Sequence, residues 1–283
     1  MTPWTLAGLA ALLLLGAAVA AGRYVHWRDQ AERGEVWARL EALRDAQPPR
    51  FDPSMVAGLP EVAQRYLGRA IAPGTPLHRM VRLEMQGRFV LNGQALPMSA
   101  RQILAPPARG FVWQAEIGSG PMRFAGSDGY HAAGSAETSW TKFWLHGLIP
   151  LARVGGTGDH ARAAATRAML EAVWAPATLL PQHGAQWRQT GPDSAEIRFA
   201  QAPDLPPIQL RLDAAGDPVE IWAMRWTDAN AQKRYRLQPF GGRVLETSVF
   251  QGFRIPARVE MGNLWGTPDY APFFLARVSE ARF

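Results

Sequence analysis

Cysteine is absent from the 283 residues. Its absence removes disulfides, thiolate metal ligands, thiol nucleophiles and lipidation at an N-terminal cysteine, but does not choose a compartment. Lysine is nearly absent too: Lys142 and Lys233 are the only two, and arginine supplies the rest of the basic excess behind a net charge of +6. The basic residues are scattered singly, with no run that would track a phosphate backbone, so no nucleic-acid partner is expected. Attraction to an anionic membrane surface is a better physical use of the charge. Charged residues make up only 19% of the chain, which argues against long disordered arms.

Catalytic and metal signatures are missing as well. The histidines are His26, His78, His131, His146, His160 and His183. None forms H-x-x-x-H or H-E-x-x-H, and no close carboxylate pair accompanies them, so neither a metal nor a cofactor is expected. No serine lies in a G-x-S-x-G elbow. Gly156-Thr-Gly158-Asp-His-Ala161 matches G-x-G-x-x-A, but no βαβ spacing follows it. A glycine hinge with Asp159 as helix N-cap is the plainer account. Asp128-Gly-Tyr-His131 is the densest polar cluster and reads as a turn between strands. The balance leans away from an enzyme, although a site assembled from distant residues stays open.

What the chain does have is apolar mass. Hydrophobic residues reach 47%, with 11 tryptophans, enough for one large core or two small ones. From Trp4 to Gly22 there is no charge, and such a helix spans roughly 28 Å, close to the hydrocarbon thickness of a bilayer. Trp4, Tyr24 and Trp27 stand where interfacial aromatics belong. Residues 1–27 are therefore expected to be a membrane anchor, with residues 4–22 in the bilayer. A signal peptide cut near Ala18-Val19-Ala20 is the competing reading, which the lack of Lys or Arg before the apolar run disfavours. Arg23, Arg28, Arg33 and Arg39 follow the span, and the positive-inside rule then predicts a cytoplasmic domain.

Residues 28–76 read as a helical linker. One helix covers 28–46 with Val36, Leu40 and Leu43 as its stripe, and Pro48-Pro49 ends it. A second covers 54–70 with Val62, Tyr66, Leu67 and Ala70 on one face. From residue 77 to 283 the period becomes two. Strands are expected at 80–91, 94–104, 110–117, 121–124, 186–190, 195–200, 208–212, 219–226, 234–239, 244–250, 257–262 and 274–283. Asn92-Gly93 is a type I′ hairpin signal, Asp213–Asp217 and Phe240-Gly241-Gly242 read as turns, and 140–151 reads equally as strand or lid. The fold class is mainly β (α+β): a large curved antiparallel sheet or incomplete barrel.

A single convincing helix interrupts this β region, at 160–174, with Pro176 barring its extension. Arg167, Leu170, Glu171 and Trp174 share one face at i, i+3, i+4 and i+7. Arg167 and Glu171 are expected to form a structural ion pair that docks the helix on the sheet. Ala161, Ala164, Ala165, Ala168 and Ala172 leave the rest of its surface small enough for close approach.

The run Arg167-Ala-Met-Leu-Glu171-Ala-Val-Trp174-Ala-Pro176-Ala-Thr-Leu-Leu-Pro181 resembles a motif of an uncharacterised bacterial family. So do Gly110-Phe-Val-Trp113-Gln-Ala115, Asp128-Gly-Tyr130 and Ile255-Pro256-Ala-Arg258. The likeness spans about residues 55–283. That family is similar in fold to the LolA/LolB lipoprotein carriers, which implies an incomplete barrel, an apolar cavity for acyl chains and a periplasmic, inner-membrane setting. It carries no catalytic residue over. Two departures stand out: there is no lipidation cysteine, and an anchored chain cannot shuttle. The resulting expectation is a noncatalytic domain binding a lipid or other hydrophobic ligand, with Phe111, Trp113, Met169 and Trp174 in its lining. An envelope interaction module with a filled core and an enzyme for an amphiphilic substrate remain the alternatives.

Overall fold

A computed structural model describes residues 3–105, 110–133 and 136–283. Helix α1 (Pro3–Glu41) runs without a break, so the expected division at residue 27 falls inside one helix. At 1.5 Å per residue it is roughly 58 Å long, about twice what a bilayer core requires. The Trp4–Val19 stretch is exposed, Leu14 at 72%, whereas the far end lays Asp29, Val36 and Leu40 against the domain. Leu43 was expected on that stripe; it lies beyond the helix end and is exposed. The second helix is shorter than expected. A 3₁₀ turn at Pro53–Val56 precedes α2 (Glu61–Ala70), with Pro60 immediately before its first residue. Val62, Tyr66, Leu67 and Ala70 are buried as the period required.

The strands form one antiparallel sheet built from two meanders. The first comprises β1 (Val81–Leu91), β2 (Gln94–Ala105), β3 (Gly110–Ile117), β4 (Phe124–Ala133), β5 (Ala136–Leu145) and β6 (Ile149–Gly155). The second comprises β7 (Ala185–Gly191), β8 (Ser194–Phe199), β9 (Ile208–Leu212), β10 (Pro218–Thr227), β11 (Arg236–Phe250), β12 (Phe253–Asn263) and β13 (Ala271–Arg282). The spatial order is β6-β5-β4-β3-β2-β1-β13-β12-β11-β10-β9-β8-β7, so the meanders meet where β1 pairs with β13, and β6 and β7 are open edges. Asn92 (φ 50°) and Gly93 (φ 78°) make the β1–β2 turn, as a type I′ hairpin demands.

Helix α3 (Gly158–Leu170) and the 3₁₀ turns after it connect the two edges, so this segment has to cross one face of the whole sheet. α3 touches both β5 and β10. Strands lie about 4.8 Å apart, so a flat sheet would hold two strands eight positions apart at a separation of roughly 38 Å. The sheet therefore curls around α3, and its concave face holds the main core together with α2 and α3. On the opposite face Val36 and Leu40 of α1 pack with Met80, Ile103, Val112 and Trp140.

Several local expectations are corrected. Asp128-Gly-Tyr-His131 is the middle of β4 and not a turn. Gly129 is there because the Trp140 ring lies on it: a Cβ at this position would stand only 2.2 Å from that ring. Phe240-Gly241-Gly242 lies inside the single long strand β11, where a Cβ on Gly241 would meet Trp222 at 2.3 Å. In both cases glycine serves close cross-strand approach and not a positive φ. Residues 120–122 form a 3₁₀ turn, with β4 beginning at Phe124. The ambiguous 140–151 run is the end of β5, a turn at His146-Gly147, and the start of β6. Thr157, not Asp159, caps α3, its hydroxyl accepting from the His160 N–H at 3.2 Å. Regular α-helix stops at Leu170, and 171–174 continue as a 3₁₀ turn.

Candidate functional site

The C-terminal turn of α3 roofs a cavity of about 140 Å³ on the concave face. Its wall is largely aromatic: Phe89, Trp113, Trp174, Phe240, Phe273 and Phe274. These rings brace each other, with centroids 5.5 Å apart for Phe89–Phe273 and 6.0 Å for Trp113–Phe274. Trp174 is fixed within this wall, its indole N–H donating to the carbonyl of Pro256, another lining residue, at 2.9 Å. The strand period explains the convergence, because Phe89, Trp113, Val259 and Ile221 all sit on inward positions of their strands.

One end of the cavity is polar. Arg167 donates through Nε to Glu171 Oε1 at 2.7 Å and through Nη1 to Asp128 Oδ2 at 3.0 Å. Gln102 of β2 donates to the other Glu171 oxygen at 2.5 Å. The Arg167 guanidinium also lies over the Phe111 and Trp113 rings, 4.5 and 5.4 Å from their centroids. Burial opposes its charge, yet the two carboxylates outweigh that and hold its pKa above the ordinary arginine value. The ion pair expected within α3 is thus extended by a link to the sheet.

Arg225 of β10 is the second cation at this end. Its Nε donates to the Ala163 carbonyl at 3.0 Å and its guanidinium lies 4.7 Å from the Phe240 centroid. It makes no ion pair among the described residues. Burial, then repulsion from Arg167, lowers its pKa to about 10. Two guanidiniums and two carboxylates leave the end electrically balanced. Three buried polar atoms around it have no hydrogen-bond partner: Trp113 Nε1, Asp128 Oδ1 and Gln102 Oε1. Gln102, Trp113 and Asp128 form one cross-strand row on β2, β3 and β4.

Asp128, Arg167 and Arg225 also wall a separate, polar cleft of about 570 Å³ that includes Asp159, His160, Asp228 and Tyr235. His160 sits between two hydroxyls, Ser139 Oγ at 2.8 Å and Thr141 Oγ1 at 3.2 Å. Burial lowers its pKa. No carboxylate hydrogen-bonds to it and Ser139 is buried, so the group fastens α3 to β5 and lacks the oriented base of a nucleophilic site. Among the described residues, no cluster of three or more His, Cys, Asp or Glu side chains is placed to hold a metal.

A family model matches residues 49–275, a family of unknown function, DUF6544. The chain belongs to the DUF6544 family. Among solved structures, this DUF6544 chain is similar to a Vibrio parahaemolyticus domain whose name assigns it to outer membrane lipoprotein sorting. The identity is 11%, with 79% of this chain and 91% of that one covered and a TM-score of 0.39. A LolA superfamily protein from Nitrosomonas europaea matches at 10% identity, covering 78% and 91%, with a TM-score of 0.36. A DUF1329 family protein from Desulfovibrio piger matches at 8%, covering 79% and 90%, with a TM-score of 0.42. These identities transfer no residue and no role. No curated protein matches the chain.

The four expected lining residues separate in this DUF6544 structure. Trp113 and Trp174 line the apolar cavity. Phe111 lies on the polar cleft beneath Arg167, and Met169 is buried in the main core, because its position on α3 points away from the roof of the cavity. Gln102 and Arg225 were missed. Strand parity carries the signal for both: each falls on the inward phase, Gln102 with Met98, Ala100 and Leu104, Arg225 with Ile221 and Ala223.

Proposed function

We propose that this protein is a membrane-anchored, noncatalytic binder of a hydrophobic ligand, held in the cavity beneath α3. The aromatic wall with a balanced polar end is the observation that carries the reading. An apolar cavity of roughly 150 Å³ holds one benzene ring, so the present volume takes a ring or a short acyl segment. A longer chain requires the turn after Leu170 to lift. The unpaired atoms at the polar end, a donor on Trp113 and an acceptor on Asp128, complement a hydroxyl. A net-neutral end also gives an anionic head group no excess charge to meet. The ligand class is therefore an amphiphile with an uncharged, hydroxylated end.

Residues 4–22 supply the anchor in this reading, in the bacterial inner membrane with the domain on the periplasmic side. The arginines after the span oppose that side. One of them is packed against the domain, however: Arg33 is partly buried beside Arg101 of β2. A C-terminal alkaline phosphatase fusion decides the side, activity being the expected result. Native mass spectrometry of the full-length chain released from detergent tests the binding. Co-purified lipid is expected; a ligand-free chain would replace this reading with an interaction module whose core is filled.

A further inference from the structure

Three successive turns of α1 are locked to the β5–β6 hairpin. At Gly22, a Cβ would lie 3.1 Å from the Leu148 carbonyl oxygen. At His26, the imidazole faces Gly147 and packs edge-on to Trp144 with centroids 5.2 Å apart. At Asp29, the carboxylate is buried between Lys142 and Arg153, each at 3.1 Å. The helix that carries the apolar span is thus held in one orientation to the sheet, and the hairpin tip stands level with the last residue of that span.

That level is apolar. Leu148, Ile149 and Leu151 are exposed at 39, 57 and 51%. Met122, exposed at 71%, stands on the neighbouring turn, which His146 Nε2 ties to the hairpin through the Pro121 carbonyl at 2.8 Å. In an antiparallel meander, the β1–β2, β3–β4 and β5–β6 turns share one end of the sheet, and Leu91 is exposed at the first of them. Outside α1, ten large apolar side chains are exposed among the described residues, and these five gather at the end from which the apolar helix leaves.

We propose that this rim, centred on Met122, Leu148 and Ile149, docks on the lipid bilayer as a second contact beside the helix. The inference rests on the anchoring reading above, because continuity with the apolar span is what identifies lipid as the occupant. Docking also fixes the pose of the domain. Strand β6 then rises from the bilayer surface to Val154 and Gly155, which wall the polar cleft. That climb of five residues covers roughly 17 Å. The cleft shares Asp128, Arg167 and Arg225 with the apolar cavity, so the same pose sets the height of both above the bilayer.

The cysteine-free chain allows a direct test. Single substitutions Ile149→Cys, Met122→Cys, Asp204→Cys and Leu13→Cys are labelled with an environment-sensitive fluorophore, and the full-length chain is placed in phosphatidylcholine–phosphatidylglycerol nanodiscs. Positions 149 and 122 are exposed, so the label leaves the core untouched. Brominated acyl chains should quench positions 149, 122 and 13, and aqueous iodide should quench 204. If 149 and 122 respond like 204 while 13 remains lipid-quenched, the helix anchors alone and the rim proposal is overturned. If 13 also responds to iodide and not to brominated lipid, the anchoring reading falls and takes the rim with it. Cross-linking between copies at 149 without lipid quenching would assign the rim to a second copy of this chain instead.

Discussion

Arg167 and Asp128, thirty-nine positions apart, meet at 3.0 Å, and this contact ties the helix crossing the concave face to the middle of the first meander. The same guanidinium binds Glu171 one helical turn on. One side chain therefore sets where α3 sits and closes the polar end of the cavity below it.

Removing that side chain strands two carboxylates that are only 23 and 13% exposed. Arg167→Leu should cost about 3 kcal/mol, the lower end of what breaking a buried ion pair costs. For a domain of this size that is a fall in melting temperature of roughly 6–12 °C. Glu171→Gln keeps the Asp128 contact and should cost less. Thermal melts followed by tryptophan fluorescence check both; an unchanged melt for Arg167→Leu would deny the docking role.

Head-group chemistry is a second expectation. With charges balanced and an indole N–H of Trp113 and a carboxylate oxygen of Asp128 left without partners, dodecanol should bind more tightly than dodecanoate of the same chain length. Asp128→Asn and Trp113→Phe should narrow the difference. Isothermal titration on the full-length protein reads it, and tighter binding of the carboxylate would reject the neutral-head assignment.

The helix–hairpin lock predicts a protease pattern. Asp29 accepts from Arg153 Nε at 3.1 Å and from the Trp144 indole at 3.2 Å. Burial raises its pKa, but the hydrogen bonds and charges of Arg153 and Lys142 outweigh burial and hold it below the ordinary carboxylate value. Asp29→Ala should free α1 from the hairpin and speed tryptic cleavage at Arg28 and Arg33 several-fold, with the β domain surviving. Equal cleavage rates would show that the hairpin does not hold the helix.

Acid should weaken the fold through His160. Burial depresses its pKa below 6.5, with Arg225 adding to that and Asp128 and Asp228 opposing it. The unfolded chain then takes the proton first as pH falls past 6.5, so stability declines from there down to the folded-state pKa and levels off below it. His160→Gln should flatten this part of the pH–stability curve, as measured by urea denaturation between pH 7 and 5.

Much of this architecture was legible in the sequence because its signals are local. Asn92-Gly93 specified a hairpin, alternation specified most of the inward faces, and Pro176 marked where the helix could not continue. The two misread turns have one physical origin. Gly129, Gly241 and Gly242 carry a turn-like composition but are set by rings and backbone from neighbouring strands, and such contacts have no local trace. The site shows the same division: Arg167, Glu171 and Trp174 share a periodic helix face, whereas Trp113 is named only through the family resemblance. Arg225 became meaningful only once curling of the sheet brought β10 to the other side of α3.

The central claim is that the space beneath α3 holds a ligand, and Val259 lies in its wall, 2% exposed. Val259→Phe fills that space at a cost of about 1–3 kcal/mol from overpacking, which leaves the domain folded. Native mass spectrometry of the two full-length chains, prepared identically, is the most direct measurement. The account predicts bound lipid on the native chain and none on Val259→Phe; a native chain free of lipid, or the same lipid retained by both, would contradict it.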